Sequence, residues 1–441
     1  MSATLSSTGR RSNRYYLELN QVRACDRAVH NWYRFVLSYP PHLVQEYAQR
    51  FGLSAGHQLL DPFCGTGTTV VEGKKLGIPS VGIEANPMAQ FAAAVKLDWS
   101  PQPDQLRRLA EAIGTATEQS LGQTDTPLRT LPADSERLLL ANSISPLPLH
   151  KTLVLLDTLL AQAPPTYARH LQLALAKAAI TTIGNLRFGP EVGVGKAKAD
   201  APVIEAWQAE VEAMAADLAA LQAAPATPAT VHHGDARQVV SLLPPHSIDA
   251  VITSPPYPNE KDYTRTTRLE SVLLGFLQNR GDLRLLKEGL LRSNTRNVYT
   301  ADRDDRWVAH HADIQRIAAD IDARRADLGK TSGFSRLYSR AVKLYFGGMA
   351  KHLADLRYVL RPGAQLAYVV GDQKSYLQVM IRTGELLADL AQRLGYEVVG
   401  LDLFRTRLAS TTQEQMREEV LLLRWSGVWP TTPYPFSDES P

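Results

Sequence analysis

Asp61-Pro62-Phe63-Cys64-Gly65-Thr66-Gly67-Thr68-Thr69 joins a short apolar run, Gln58 to Asp61, to an amphipathic stretch, Thr68 to Leu76. The order of patterns predicts a strand, a glycine turn and a helix. Gly77 ends the helix and Ser80 to Glu84 supplies a second strand, a parallel crossover unit of about 30 residues. Gly65 and Gly67 allow a tight turn and a close approach of backbone to ligand. A phosphate-binding loop needs Gly-Lys-Ser/Thr at this place, whereas the chain has Gly67-Thr68-Thr69 and no lysine before Lys74. The expected tenant is nucleotide-like but lacks phosphates.

Three carboxylates follow strand ends: Asp61 suits a cationic amino group, Glu84 the two hydroxyls of a ribose, and Asp235, in Gly234-Asp235-Ala236-Arg237, an adenine amine. Each alone suits a helix or turn cap equally well. Arrayed together they favour a cofactor made of adenosine and an amino acid. Phe63-Cys64-Gly65-Thr66-Gly67 resembles motif I of class I S-adenosylmethionine methyltransferases, and Glu84 and Asp235 match that family's later acidic motifs. The resemblance implies S-adenosylmethionine as cofactor, held by Asp61, Pro62, Phe63, Gly65, Gly67, Thr68, Glu84, Asp235 and Ala236.

Downstream, Ile248 to Thr253 reads as a buried strand that ends in Ser254-Pro255-Pro256-Tyr257. Two prolines stiffen the turn and remove two N–H donors, leaving carbonyl acceptors. Methylation of an aromatic amine has that requirement, because its lone pair is delocalised into the ring. Acceptors on both N–H groups, the Ser254 side chain and the Pro255 carbonyl, pull the nitrogen toward sp³, and Tyr257 offers a face on which an extruded base can stack. The bland reading is an ordinary Pro-Pro turn beside a buried tyrosine. Thr253-Ser254-Pro255-Pro256-Tyr257 resembles motif IV of the amino-methyltransferases of restriction-modification systems, in the serine form usual among cytosine-N4 enzymes. The resemblance covers residues 30 to 100 and 230 to 425, and implies a site-specific DNA methyltransferase acting on a flipped base, with Ser254, Pro255, Pro256 and Tyr257 catalytic. Adenine-N6 methylation of DNA, base methylation of RNA and a noncatalytic nucleic-acid-binding module stay open as alternatives. A cytosine-C5 mechanism needs a cysteine nucleophile in a Pro-Cys turn; neither Cys25 nor Cys64 follows a proline.

The resemblance implies a Rossmann-like class I methyltransferase sheet, mostly parallel. Because the strands at 397–403 and 419–425 follow one another without room for a crossover helix, the last is expected to be antiparallel. The chain divides into a basic flexible segment (1–29), core (30–99), helical insertion (100–228), core (229–257), a polar insertion as candidate target reader (258–335), core (336–428) and a loose tail (429–441). A helix is expected before the first strand from Tyr39 to Leu53, and later a helix from Leu344 to Leu360 followed by a Pro362-Gly363 turn.

Hydrophobic residues make up 44% and charged residues 21%, a folded-chain balance, and the net charge of +3 permits a polyanionic partner without demanding one. The resemblance implies double-stranded DNA as the partner, with cognate restriction or defence proteins alongside. Candidate DNA contacts are Asn259, Lys261, Tyr263, Arg265, Arg292, Asn294 and Arg296, for which a solvated loop is the competing reading. A second basic loop runs from Asn185-Leu186-Arg187-Phe188-Gly189-Pro190 to Lys196 and Lys198, and Tyr33, Arg34, Tyr39 and His42 are candidates to close over the cofactor's methionine end. Two cysteines support neither a disulfide framework nor a zinc site, so no metal is expected. No run has the length of a membrane span, and the expected location is cytoplasmic.

Overall fold

The computed structural model describes residues 22–35, 38–122, 127–189, 191–224, 226–408 and 415–430. At its centre, Leu59, Leu60 and Asp61 form strand β1 (Leu59–Asp61), buried at every position. A strand buried on both faces is mostly apolar, as its neighbours β2 (Ser80–Glu84) and β6 (Ile248–Thr253) also are over most of their length, and the buried Asp61 must find hydrogen-bond donors. All three run parallel, with Leu60 opposite Val81 on one side and Val251 on the other. β5 (Ala229–His233) extends the sheet beyond β2, and β7 (Leu360–Gly371) beyond β6, both in parallel. β9 (Gln415–Trp425) then lies antiparallel between β7 and β8 (Tyr396–Leu408).

The resulting order, β5-β2-β1-β6-β7-β9-β8, is that of the Rossmann-like methyltransferase sheet, with the last strand reversed as expected. Strand order turns back between β1 and β6. In such sheets the ligand crevice opens beyond the strand ends at that switch point, and the two turns singled out in the sequence leave β1 and β6 there.

Helices cover both faces. α1 (Pro41–Arg50) opens with proline in its first turn and lays Leu43, Val44 and Tyr47 across β1, β6, β7 and β9. α2 (Thr68–Lys75) follows the glycine turn. α3 (Pro87–Lys96) is capped by Asn86, whose side chain accepts from the Met88 N–H at 3.1 Å. The first insertion supplies α4 (Pro103–Leu121), α5 (Ala133–Glu136), α6 (Pro146–Gln162), α7 (Pro165–Ala178) and α8 (Val203–Leu221). Their apolar faces share one core with α2 and α3, including Trp207, which is fully buried and donates to the Leu171 carbonyl at 2.9 Å. The second insertion carries α9 (Arg268–Leu273), α10 (Arg280–Gly289) and α11 (Ala312–Asp327), and the core resumes with α12 (Tyr338–Leu356) and α13 (Thr383–Arg393).

Several boundaries differ from expectation. Pro362 and Gly363 lie inside β7 rather than before it; Gly363 adopts φ +91, and pairing with β6 jumps from Leu360 to Gln365, so the expected turn is a bulge. α12 begins six residues before Leu344, because its first turns pack on the second insertion. An antiparallel hairpin, β3 (Leu186–Phe188) with β4 (Val192–Val194), occupies the expected loop, of which Pro190 lies outside the described residues. The tail expected to be loose is anchored at its start: the Trp429 ring packs 4.9 Å from that of Tyr358 and lies under Arg357 at 4.4 Å. Residues 431–441, and 1–21 of the expected basic segment, lie outside the described residues.

Candidate active site

The glycine turn leaves β1 with Gly65 at φ +53 and Gly67 at φ +88, backbone conformations that favour glycine. A side chain on Gly65 would meet nothing nearer than the Phe35 ring at 3.9 Å, whereas one on Gly67 would press on Ala93 of α3 at 3.1 Å. Gly67 thus serves packing, and Gly65 leaves space above the turn. Glu84 closes the turn from β2: its two oxygens accept from the Gly65 and Asn86 N–H groups, each at 2.7 Å. Burial pushes the Glu84 carboxyl up to about 7, while those two donors pull it back. The side chain nevertheless keeps partial exposure at the sheet edge.

Asp61 has a different job from the expected one. It is fully buried, and its oxygens accept from the Phe63 N–H at 3.1 Å, the Tyr39 hydroxyl at 3.3 Å and the Thr253 hydroxyl at 2.6 Å. Tyr39 also meets Thr69, and Thr69 donates to the Ile252 carbonyl at 2.9 Å. Burial raises the Asp61 carboxyl to about 6 against these donors. With three donors on its oxygens, Asp61 ties β1 to β6 from a fully buried position. Asp235 is likewise committed, gripped by the Arg237 guanidinium at 2.6 Å and by the Arg237 N–H at 2.9 Å; Arg237 reaches on to Asp304 at 2.6 Å. An adenine amine at this place would share the Asp235 carboxylate with Arg237, the Asp235 side chain being 18% exposed. Ala236 and Phe63 meet through His352, whose Nδ1 contacts the Ala236 carbonyl at 2.7 Å and whose ring lies 4.9 Å from that of Phe63.

Beside this turn, just past β6, Ser254 donates to the Val369 carbonyl at 3.1 Å, leaving its oxygen lone pairs as acceptors. Pro255 is buried and Pro256 and Tyr257 partly so. The Tyr257 N–H points at the Tyr263 hydroxyl at 3.4 Å, and burial holds the Tyr257 hydroxyl well above its ordinary value. Its ring rests on Gly371 of β7, where an added carbon would come within 3.1 Å of Cε2.

Of the N-terminal candidates, Tyr39 touches the site through Asp61; Arg34 donates to the Ser38 carbonyl at 2.9 Å, and His42 faces Phe404, 6.4 Å between ring centroids. Tyr33 is buried and hydrogen-bonds the equally buried Glu270 of α9, whose carboxyl burial raises to about 7. Among the candidate nucleic-acid contacts, Arg292 is 4% exposed, forks onto Asp302 at 2.8 and 3.0 Å and caps the Lys287 carbonyl at 2.9 Å. Asn294 is fully buried and donates to the Lys261 carbonyl at 2.9 Å. Both hold the insertion together and leave the set of outward contacts. Arg296 stays exposed over the Phe334 ring, while Asn259, Lys261, Tyr263 and Arg265 are partly exposed beside the turn.

Two residues escaped sequence reasoning. Lys96, 1% exposed, donates from beneath the turn to the Thr66 carbonyl at 2.7 Å, and burial lowers its ammonium to about 7. Its signal is a lone charge closing the apolar helix α3. Gly371, unremarkable at a strand's end, makes room for Tyr257. A cavity of about 630 Å³ lined by Glu118, Lys151, Asp200 and Glu205 lies in the first insertion and shares no residue with either turn, so volume does not mark the site.

No protein-family model matches the chain. It is 25% identical to Type II methyltransferase M.BsoBI of Geobacillus stearothermophilus over 92% of this chain and 86% of that protein. It is 27% identical to Type II methyltransferase M.AvaI of Anabaena variabilis over 171 residues, 38% of this chain and 34% of that protein. Among solved structures, TrmN from Thermus thermophilus aligns with 87% of this chain and 48% of its own, at 11% identity and a TM-score of 0.25, too low to bear on function.

Proposed function

We propose that this chain transfers a methyl group from S-adenosylmethionine to the exocyclic amine of a flipped base in DNA, cytosine N4. The observation that carries the proposal is the Thr253–Asp61 hydrogen bond of 2.6 Å, together with the parallel pairing of β1 and β6. The cofactor-type turn and the acceptor-rich turn therefore leave neighbouring strands into one crevice. The resemblance of nearly the full chain to a type II methyltransferase supports DNA as the substrate and a restriction-modification setting.

The cofactor's fit rests on the open space above Gly65 and on the partly exposed Glu84 carboxylate, which retains lone pairs for ribose hydroxyls beyond its two backbone donors. Phe63 of the same turn is partly exposed, while Pro62 and Thr68 are buried within it. When bound, S-adenosylmethionine supplies an electrophilic methyl group on a cationic sulfur. The chain's own part is to hold the amine. Ser254, its proton committed to Val369, accepts one N–H, and the Pro255 carbonyl accepts the other, so the nitrogen lone pair is freed from the ring. Tyr257 stacks on the base and keeps it out of the duplex. The serine form of the turn supports cytosine over adenine.

Digestion of DNA treated with the enzyme, followed by mass spectrometry of the nucleosides, tests this: N4-methylcytosine is expected, and N6-methyladenine or an unmodified digest refutes it. Ser254→Ala is expected to lower kcat at least tenfold while leaving the S-adenosylmethionine Kd unchanged. A weakened cofactor with normal turnover would place the serine elsewhere.

A further inference from the structure

Gly371, Glu418 and Arg405 stand directly opposite one another on β7, β9 and β8. Directly paired residues project from the same face of a sheet, with neighbouring strands about 4.8 Å apart. Tyr257 enters this row from the end of β6: a carbon on Gly371 would sit 3.1 Å from its ring and 3.2 Å from Glu418 Cγ. The glycine therefore opens a slot with the stacking tyrosine on one side and a carboxylate on the other. Glu418 is 9% exposed, and Arg405 donates to it through Nε at 2.5 Å. The pair is well shielded, Arg405 and Glu418 side chains being 16% and 11% exposed. That ion pair uses Nε, and the two terminal nitrogens of Arg405 have no hydrogen-bond partner among the described residues.

Two donors held in a fixed fork beside the amine-binding turn distinguish bases. Next to its exocyclic amine, cytosine presents two acceptors in succession, N3 and O2. Adenine presents N1 and then a C–H. A guanidinium is planar and matches paired acceptors, whereas an ammonium does not. The geometry points to Arg405 as the residue that selects cytosine, donating to N3 and O2 of the flipped base, with Glu418 as the positioning residue that aims its guanidinium. This inference rests on the cytosine reading above. It adds a device for specificity outside both sequence motifs, supplied by the terminal antiparallel strands.

The test uses the full chain, its target site first located by modified-base sequencing, and duplexes carrying cytosine, 2-thiocytosine or adenine at the target position. A bidentate base contact supports discrimination of roughly tenfold to a hundredfold. Arg405→Met and Arg405→Lys are expected to lose kcat/KM on cytosine by that factor and to lose far less on adenine, with unchanged Kd for S-adenosylmethionine. Wild type should also lose activity on 2-thiocytosine, a weaker acceptor, where Arg405→Met is indifferent to the exchange. Equal losses on cytosine and adenine, or an Arg405→Met variant as sensitive as wild type to 2-thiocytosine, overturn the assignment. The second readout compares substrates within one variant, so a partly misfolded variant still answers. Wild type that makes no N4-methylcytosine overturns the underlying reading and this one with it; wild type that makes it, with Arg405 variants unchanged, overturns this one alone.

Discussion

Gly371→Ala adds one methyl group to the slot beside Tyr257. The glycine's φ is not positive, so alanine adopts the same backbone. What changes is space: the new carbon lies 3.1 Å from Tyr257 Cε2 and 3.2 Å from Glu418 Cγ. Comfortable carbon contacts begin near 3.5 Å, so relief requires a displacement of roughly 0.4 Å. Glu418 is held by Arg405, and the Tyr257 ring, on a turn stiffened by Pro255 and Pro256, takes much of the shift. A misplacement of about 1 Å costs roughly a hundredfold in rate, so about 0.4 Å should cost fivefold to tenfold in kcat. Overpacking of one methyl group should cost about 1 kcal/mol in stability. The S-adenosylmethionine Kd should not move, because the Gly65 turn lies two strands away. Radiolabelled methyl transfer at saturating cofactor measures kcat, calorimetry the Kd, and urea unfolding the stability. Gly400→Ala, where the added carbon meets nothing within 4 Å, is the matched control and should alter none of them. Unchanged kcat in Gly371→Ala, or a cofactor Kd that rises in step with the loss, would refute the placement of Tyr257 at the reacting base.

Thr253→Val keeps shape and removes the 2.6 Å donor to Asp61, leaving a buried carboxylate short of a partner; urea unfolding at pH 8 should show a loss of about 2 kcal/mol. Below about pH 6, where Asp61 takes up a proton, that loss should shrink. If Glu84, held near 7 by burial, binds the ribose as proposed, it does so best when ionised, and the S-adenosylmethionine Kd should rise as pH falls below 7. Glu84→Gln should bind weakly with no such pH dependence, as calorimetry at pH 6, 7 and 8 would show. Glu270 binds its proton more tightly folded than unfolded, so its ionisation drains stability as pH climbs from about 4.5 to 7. A shift of that size is worth about 3 kcal/mol. Thermal scans should find the advantage of Glu270→Gln over wild type growing across that window and constant above it.

The sequence disclosed the sheet best where burial on both faces forces a continuous apolar run. β2 and β6 occupy the expected residues, and the reversed final strand followed from a connection too short for a crossover. The hairpin β3–β4 stayed hidden because three residues per strand, one of them interrupted by Gly193, carry no period. The bulge in β7 looked like a turn because Pro362-Gly363 has turn chemistry and only pairing with β6 overrides it. At the site, the two positive-φ glycines and the place of the Ser-Pro-Pro-Tyr turn at the end of β6 were legible because their backbone demands are local. The carboxylates were not: a sequence shows that Asp61, Glu84 and Asp235 lie at or just after strand ends, but not whose protons their oxygens accept. Arg292 and Asn294 misled for the same reason, since donor-rich residues look alike whether buried or exposed.

The fate of Asp235 also decides what the second insertion is. Arg237, which grips it, extends to Asp304 inside that insertion, and Asp304 stands against α12 so closely that a side chain on Gly347 would overlap its carbonyl, at 1.8 Å. Tyr376 donates across the same seam to the Ser293 carbonyl at 2.8 Å, and Asn86, after the second strand, donates to Thr267 at 3.1 Å. A segment fastened at four places, one of them backbone against helix, shares its unfolding with the core rather than opening alone. Asn259, Lys261 and Tyr263, which follow the Ser-Pro-Pro-Tyr turn directly, therefore sit on a rigid surface continuous with the crevice. On the proposed function, a base presented by this insertion would reach Ser254 through fixed geometry and not through a hinged domain.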